Sequence, residues 1–377
     1  MKTIERRDPR DLLEWLEEHI DGAHIERTQA LWRDALDFKP VPYLPLSTAC
    51  NVEAECPGYT IPEIHESMEA MLFNQLLACV PVVLAGDSRL PMIRANYGVG
   101  TIPSLFGCKC EIVGNNMPWA HPLESKEQIK KVISRGVPDL LGGYGARIEQ
   151  THAYYKEMLA DYPKCRKYIP IHHSDVQGPF DVAHLIWGNE IYYELYDEPE
   201  LVHALLEVVS DTLIAFLDRE LTRIGSRRDG YCPRGNDLFK GNVTLCDDTS
   251  VNLSREMYVE TSLVYNRKVA QHFGGAGLHF CGRADHWLED LMEEESIQSV
   301  NFGYMDGRFD MAFLRKAYAI ACRTKTPLVR YNLTDEEFSA FEPSEFPTGM
   351  TLVVEAGTAA RAKEYIAQYA AKQTAEY

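Results

Sequence analysis

The stretch Gly274-Gly275-Ala276-Gly277-Leu278-His279-Phe280-Cys281-Gly282 places an imidazole and a thiol two residues apart. If Leu278–Cys281 is a strand, its period of two puts His279 and Cys281 on one face and Leu278 and Phe280 on the other. A His and a Cys side by side at a strand end are half of a zinc site. The flanking glycines allow a sharp exit and a close approach of backbone or ligand. The plain alternative is a buried thiol beside a hydrogen-bonded histidine.

Other chemistry-bearing residues fall at the ends of candidate strands. In chain order they are Arg94, Asn96 and Tyr97; His172, His173, Asp175 and Gln177; Cys246, Asp247 and Asp248; Asn301; Arg330 and Asn332; and Glu355. Alternation puts Thr244, Cys246 and Asp248 on one face, so Cys246 and Asp248 can both point toward a metal near Cys281. Cys322 falls near the end of a helix leading into a strand, which places it at the opposite end and excludes it as a ligand.

The elements that position these residues follow from periodicity. Residues 1–37 read as two helices, with Leu12, Leu13 and Leu16 on one apolar face and Ile25, Leu31 and Leu36 on the other. Val41–Leu46 reads as a first strand, Pro62–Cys79 as a helix, and Pro81–Leu84 and Leu90–Tyr97 as short strands. Ile169–His173 is a strand; Leu201, Leu205, Val209, Leu213 and Leu217 mark a long helix capped by Asp197 and closed by Gly225. Beyond it strands alternate with helices: Val243–Asp248, a helix 255–273 capped by Ser254, Leu278–Cys281, Ile297–Phe302, Leu328–Asn332 and Met350–Glu355. Repeated strand–helix units imply parallel strands with helical crossovers. About eight strands fit an α/β fold, a (β/α)8 TIM barrel over residues 41–377 with an N-terminal helical extension over 1–40. In such a barrel catalytic groups project from the C-terminal strand ends.

The 377 residues are 45% hydrophobic and 25% charged, with a net charge of -18. That charge argues against nucleic acid and anionic membrane surfaces as partners. No run approaches ~18 apolar residues, so no membrane span is expected. Ten scattered cysteines in a chain without an export signal point to reduced thiols and a cytoplasmic location.

Together these residues resemble the uroporphyrinogen decarboxylase superfamily, which includes zinc-dependent, corrinoid-linked methyltransferases. The resemblance runs from about Val41 to the C-terminus. It rests on Asp175-Val176-Gln177-Gly178-Pro179-Phe180 followed by Leu195-Tyr196-Asp197-Glu198-Pro199-Glu200, and on Cys246-Asp247-Asp248 before a Ser-capped helix. His279-Phe280-Cys281-Gly282 and Asn301-Phe302-Gly303 complete it. It implies a barrel, often dimeric, with a deep site at the C-terminal face. The methyltransferase branch binds zinc through His-x-Cys and a later cysteine; the first two match His279 and Cys281. Where that branch carries Cys-Gly this chain has Ala356-Gly357, which leaves Glu355 or Cys246 to complete the metal site.

The resemblance implies methyl transfer between a separate corrinoid (cobalamin-type) protein and a thiol or methoxylated small molecule. Zinc is held by His279, Cys281 and one further ligand. Asp248 or Asp175 acts as proton donor or support, and His173 and Gln177 orient the substrate. Arg94, Asn96, Tyr97, Asn301 and Asn332 are expected to contact the substrate. The chain lacks the arginine-rich N-terminal stretch of the decarboxylase branch, and a porphyrinogen's many carboxylates need several basic partners. Two alternatives stand beside this reading: a decarboxylase of uroporphyrinogen or a smaller carboxylate held by Arg94, and a non-catalytic barrel that binds a corrinoid or tetrapyrrole.

Overall fold

Strands buried on both faces read as nearly continuous apolar runs, as Val243–Cys246 does, and eight segments form the parallel framework. They are β1 (Leu46–Cys50), β2 (Ile93–Arg94), β3 (Ile171–His172), β4 (Val243–Cys246), β5 (Ala276–Cys281), β6 (Ile297–Gly303), β7 (Leu328–Leu333) and β8 (Met350–Gly357). The computed structural model describes residues 8–50, 57–303 and 310–374. Six strands form one sheet in the order β1-β8-β7-β6-β5-β4, with every pairing parallel. β2 and β3 pair, also in parallel, as a second sheet. Gln177, just beyond β3, makes a parallel bridge to Cys246, and the Ser88 N–H donates to Leu46 O at 3.0 Å. This mixed α/β arrangement is compatible with an eight-stranded barrel.

Helices Pro9–His19 and Gly22–Leu36 are capped by Asp8 and Asp21, whose carboxylates accept from Arg10 N–H and His24 N–H. Their apolar faces, including Leu12, Leu16, Ile25 and Trp32, belong to the same hydrophobic core as the strands. Trp32 Nε1–H donates to Ser88 O at 2.6 Å, which ties the second helix to the chain entering β2.

Several expected elements shift. Pro81–Leu84 is the last turn of a helix, Met68–Ala85, not a strand. A four-residue apolar run cannot distinguish the two by pattern alone; here Ser67 caps the start and Gly86, at φ 65°, ends the helix. That helix is also long and apolar enough, by length and composition, to cross a membrane, contrary to the reading that no run approaches that length. Ten of its residues are buried in the core. The first strand begins at Leu46 rather than at Val41. Asp197 ends the short helix Ile191–Asp197, and the long helix Pro199–Ile224 starts instead at a first-turn proline. Ser254 caps the 255–273 helix, which contains a π-helical segment at Tyr258–Leu263.

The long helix also buries an acid. Glu220 accepts from Ser174 N–H at 3.0 Å and from its hydroxyl at 2.6 Å, and faces His152 Nε2 at 3.6 Å. Burial pushes this carboxyl up from 4.5 to about 7. A carboxyl raised in the folded state stabilises the fold fully below its unfolded value and loses that contribution as pH rises through the folded one. The loss is about 3 kcal/mol between pH 4.5 and 7. Glu220→Gln should therefore gain stability relative to the parent across that interval in denaturant titrations at a series of pH values. A difference that stays flat with pH contradicts the assignment.

Candidate metal centre and substrate pocket

Register on β6 sets the first contact: Asn301 pairs with His279, and Gly303 with Cys281. Asn301 Nδ2–H donates to Val329 O at 2.7 Å, which fixes the amide so that Oδ1 faces the imidazole. His279 Nδ1–H donates to that oxygen at 2.5 Å. The proton is thereby held on Nδ1 and the Nε2 lone pair is left for a ligand. Nε2 lies 3.4 Å from Cys281 Sγ and 3.6 Å from Asp248 Oδ1. One donor atom from each of Asp248, His279 and Cys281 falls within 4.8 Å of the others.

Asp248 is placed by its neighbours. It accepts from Cys281 N–H at 2.7 Å, while its own N–H donates to Asp181 Oδ2 at 2.6 Å. Asp181 also takes the Thr249 N–H at 2.9 Å and the Thr249 hydroxyl. Adjacent Asp247 accepts from Ser250, Ser262 and Asn266, the latter two from the helix containing the π-helical segment. Gly303 completes the cradle: a Cβ there would overlap Cys281 Sγ and lie 2.8 Å from His279 Cε1. Gly303→Ala should push the thiol and imidazole apart and lower the zinc bound per chain; full zinc content in that variant would show the cradle to be slack.

The donor set fits zinc: one neutral imidazole, one carboxylate and one thiol, leaving a position open. Burial, then Asp248, pushes the Cys281 thiol up to about 12, and a bound cation reverses that balance. Burial, then Arg234, lowers His279, which keeps the imidazole neutral and able to coordinate.

The cavity in front of the cluster has a volume of about 290 Å³, and its walls include His279, Cys281, Asn301, Asn332, Arg330 and Glu355. Along β8, Val353 and Glu355 line it, whereas Val354 and Ala356 belong to the hydrophobic core. Ala356 thus faces away from the pocket, and Glu355 is the cavity residue, though outside the three-atom cluster. Cys246 is not in the cluster either: its buried Sγ lies 2.6 Å from Arg234 Nη2 and 3.6 Å from Asp175 Oδ1.

Asp175 lies between Arg234, at 3.0 Å, and Arg94, at 3.4 Å. Burial alone would raise its carboxyl, but Arg234, Arg94 and His279 hold it well below the usual range. Held as an anion between two guanidiniums, it suits the supporting role expected of Asp248 or Asp175 better than that of proton donor. His173 is also committed: Nδ1–H donates to Ser174 O at 2.7 Å and Nε2 accepts the Thr244 N–H at 3.1 Å. It borders a separate, larger cavity of about 780 Å³ on the Tyr168–Pro170 side, where β3 begins. Tyr97 is 1% exposed, pairs its hydroxyl with Thr151 at 2.8 Å, and packs against Tyr144 instead of lining the metal cavity. Asn96 donates its N–H to Met71 Sδ, and Gln177 is buried beside β4.

Sequence reasoning missed Arg234. It comes from a hairpin, Tyr231–Arg234 paired antiparallel with Asp237–Lys240, whose turn residues Gly235 and Asn236 have φ of 59° and 71°. A Gly-Asn pair between two short strands is the turn signal that announces such a hairpin.

No protein-family model matches the chain. The chain is similar to the methylcobamide:CoM methyltransferase MtbA of Methanosarcina acetivorans, 23% identical over 289 residues, which cover 74% of this chain and 75% of that protein. Over most of its length, then, this chain is distantly similar to a methyltransferase that uses a methylated corrinoid.

Proposed function

We propose that this protein is a zinc-dependent methyltransferase, a TIM barrel over residues 41–377 that moves a methyl group between a corrinoid protein and a small thiol or methoxylated molecule. The observation that carries the reading is the convergence of Asp248, His279 and Cys281, the last two of them at the wall of a cavity of about 290 Å³. The distant likeness to a methylcobamide:CoM methyltransferase supports the same chemistry. A cavity of that size suits a small molecule better than a tetrapyrrole with many carboxylates.

Asp248, His279 and Cys281 would hold the zinc, which would supply Lewis acidity to the bound substrate. The chain's own residues do the rest. Asn301 keeps the His279 proton on Nδ1, and the Cys281 amide keeps Asp248 turned inward. Asp248 therefore serves as the third ligand in place of Cys246 or Glu355. Asn332 and Glu355 contact the substrate, and Arg234, locked by Asp175, closes the inner wall. The corrinoid arrives on a separate protein. The reading includes a homodimer and a cytoplasmic location.

The test is transfer from free methylcobalamin to a thiol, followed by the loss of the methylcobalamin spectrum. The zinc-loaded protein should turn over, chelated protein should not, and added zinc should restore it. Turnover indifferent to chelation contradicts the proposal. Asn301→Ala should leave the fold intact and weaken zinc binding on the order of 10- to 100-fold, the usual effect of losing a partner behind a metal-bound histidine. Competition with a calibrated zinc chelator measures it.

A further inference from the structure

The hairpin that carries Arg234 runs between two cavities. Arg234, Asp237 and Phe239 line the metal cavity, whereas Tyr231, Pro233 and Leu238 line the larger one of about 780 Å³. The two cavities share no lining residue. The larger one includes Leu90–Met92, just before β2, and Ile169–Pro170, just before β3. It therefore sits toward the starts of these strands, whereas the metal cluster gathers at the ends of β4 and β5.

Its floor is apolar and uncharged. Leu90, Met92, Leu159, Ile169, Leu221 and Leu238 are buried around it. His172 and His173 also border it, and burial keeps both imidazoles neutral. Their Nδ1–H groups are occupied by the carbonyls of His173 and Ser174. A cavity of this size, apolar within and with a few charged groups at its edge, has the form of a small-molecule site.

The rim reverses the charge of the molecule. Five basic residues, Arg33, Lys156, Arg166, Lys167 and Arg227, stand against two acids, Glu26 and Asp229, in a chain with 38 basic and 56 acidic side chains. Both acids are neutralised within the rim. Glu26 meets Lys167 at 2.9 Å and accepts the Tyr168 hydroxyl at 2.9 Å, while Asp229 meets Arg33 at 2.8 Å and Arg227 at 3.6 Å. Lys156 donates only to Arg223 O, and Arg166 has no acidic partner among the described residues. Both are exposed, in the last turns of the successive helices Gly145–Leu159 and Pro163–Tyr168. Two cations without a counter-charge at an apolar mouth attract an anion that carries an apolar body.

We propose that this cavity is a second ligand site, for a small amphipathic acid whose carboxylate or phosphate meets Lys156 and Arg166 and whose apolar body lies on the leucine floor. The site goes beyond the methyl-transfer reading and does not depend on it. An ammonium beside a guanidinium fork suits a group that offers two or more oxygens.

Calorimetric titration of the full chain with decanoate and 2-naphthoate, each compared with its alcohol, tests the proposal. At least one acid should bind about 10-fold more tightly than its alcohol, and the gap should narrow as salt is raised. The double variant Lys156→Gln, Arg166→Gln should lose the preference while binding the alcohol as before. Arg315→Gln, Arg323→Gln removes the same charge from exposed positions on a helix that does not border the cavity, and should keep the preference. Equal binding of acid and alcohol, or neither acid binding at millimolar concentration, overturns the proposal. So does a preference that survives in the first double variant or falls equally in the second. Capture by phosphatidylglycerol vesicles without binding of the soluble acids would assign the rim to a membrane surface and overturn it too. Chelation of zinc should leave the acid's affinity unchanged, so failure of the methyl-transfer reading leaves this site standing. Acid binding that disappears with the zinc would place the ligand at the metal cavity and contradict a second site.

Discussion

Cys281→Ser and His279→Ala are each expected to abolish methyl transfer from methylcobalamin while leaving far-ultraviolet circular dichroism unchanged. The loss should exceed ~100-fold, the upper effect of removing a partner behind a ligand, because here a ligand itself is lost. Asp248→Ala should fall in the same class, since its carboxylate lies 3.6 Å from His279 Nε2. Cys246→Ala should retain zinc, because its sulfur faces Arg234 and Asp175 and lies outside the cluster. Assays of zinc content and initial rate on the four variants distinguish these outcomes. A Cys246 variant that loses zinc while Asp248→Ala keeps it would reassign the third ligand.

Arg234→Met is expected to cost about 3 kcal/mol or more of stability, read as a lower denaturant midpoint. The guanidinium is 15% exposed and Asp175 20%, so removing it strands a largely desolvated carboxylate. Arg94, at 3.4 Å, remains as a partial partner, which keeps the loss toward the low end of what breaking a buried pair costs. The double variant Arg234→Met, Asp175→Asn should recover much of it, since no unpaired charge is then buried. A change under ~1 kcal/mol in the single variant would place this pair among exposed ion pairs.

The pairing of His279 with Cys281 was legible because the period of two is local. The choice of third ligand was not. Alternation tells which face a residue shares, but the meeting of Asp248 with Cys281 follows from β4–β5 register, Cys246 opposite His279, and from a loop pinned by Asp181. Position at a strand end did not reveal what His173 and Tyr97 touch. Their polar atoms are satisfied by Thr244 and Thr151, partners far along the chain that no local pattern reveals. Arg234 was hidden for a related reason: its hairpin inserts between a helix and β4, where the strand–helix alternation predicts only a connection. The alternation itself was readable from Val243 onward, where apolar runs and caps agree, and least so around Pro81, where a short apolar run suits helix and strand alike.

The most direct test is X-ray absorption at the zinc edge of the purified protein, with zinc quantified per chain. One zinc per chain with a single sulfur neighbour, the remaining neighbours being nitrogen or oxygen, is the result expected for Asp248, His279 and Cys281. Two sulfur neighbours, or protein that holds no zinc when supplied with it, would contradict the proposed centre.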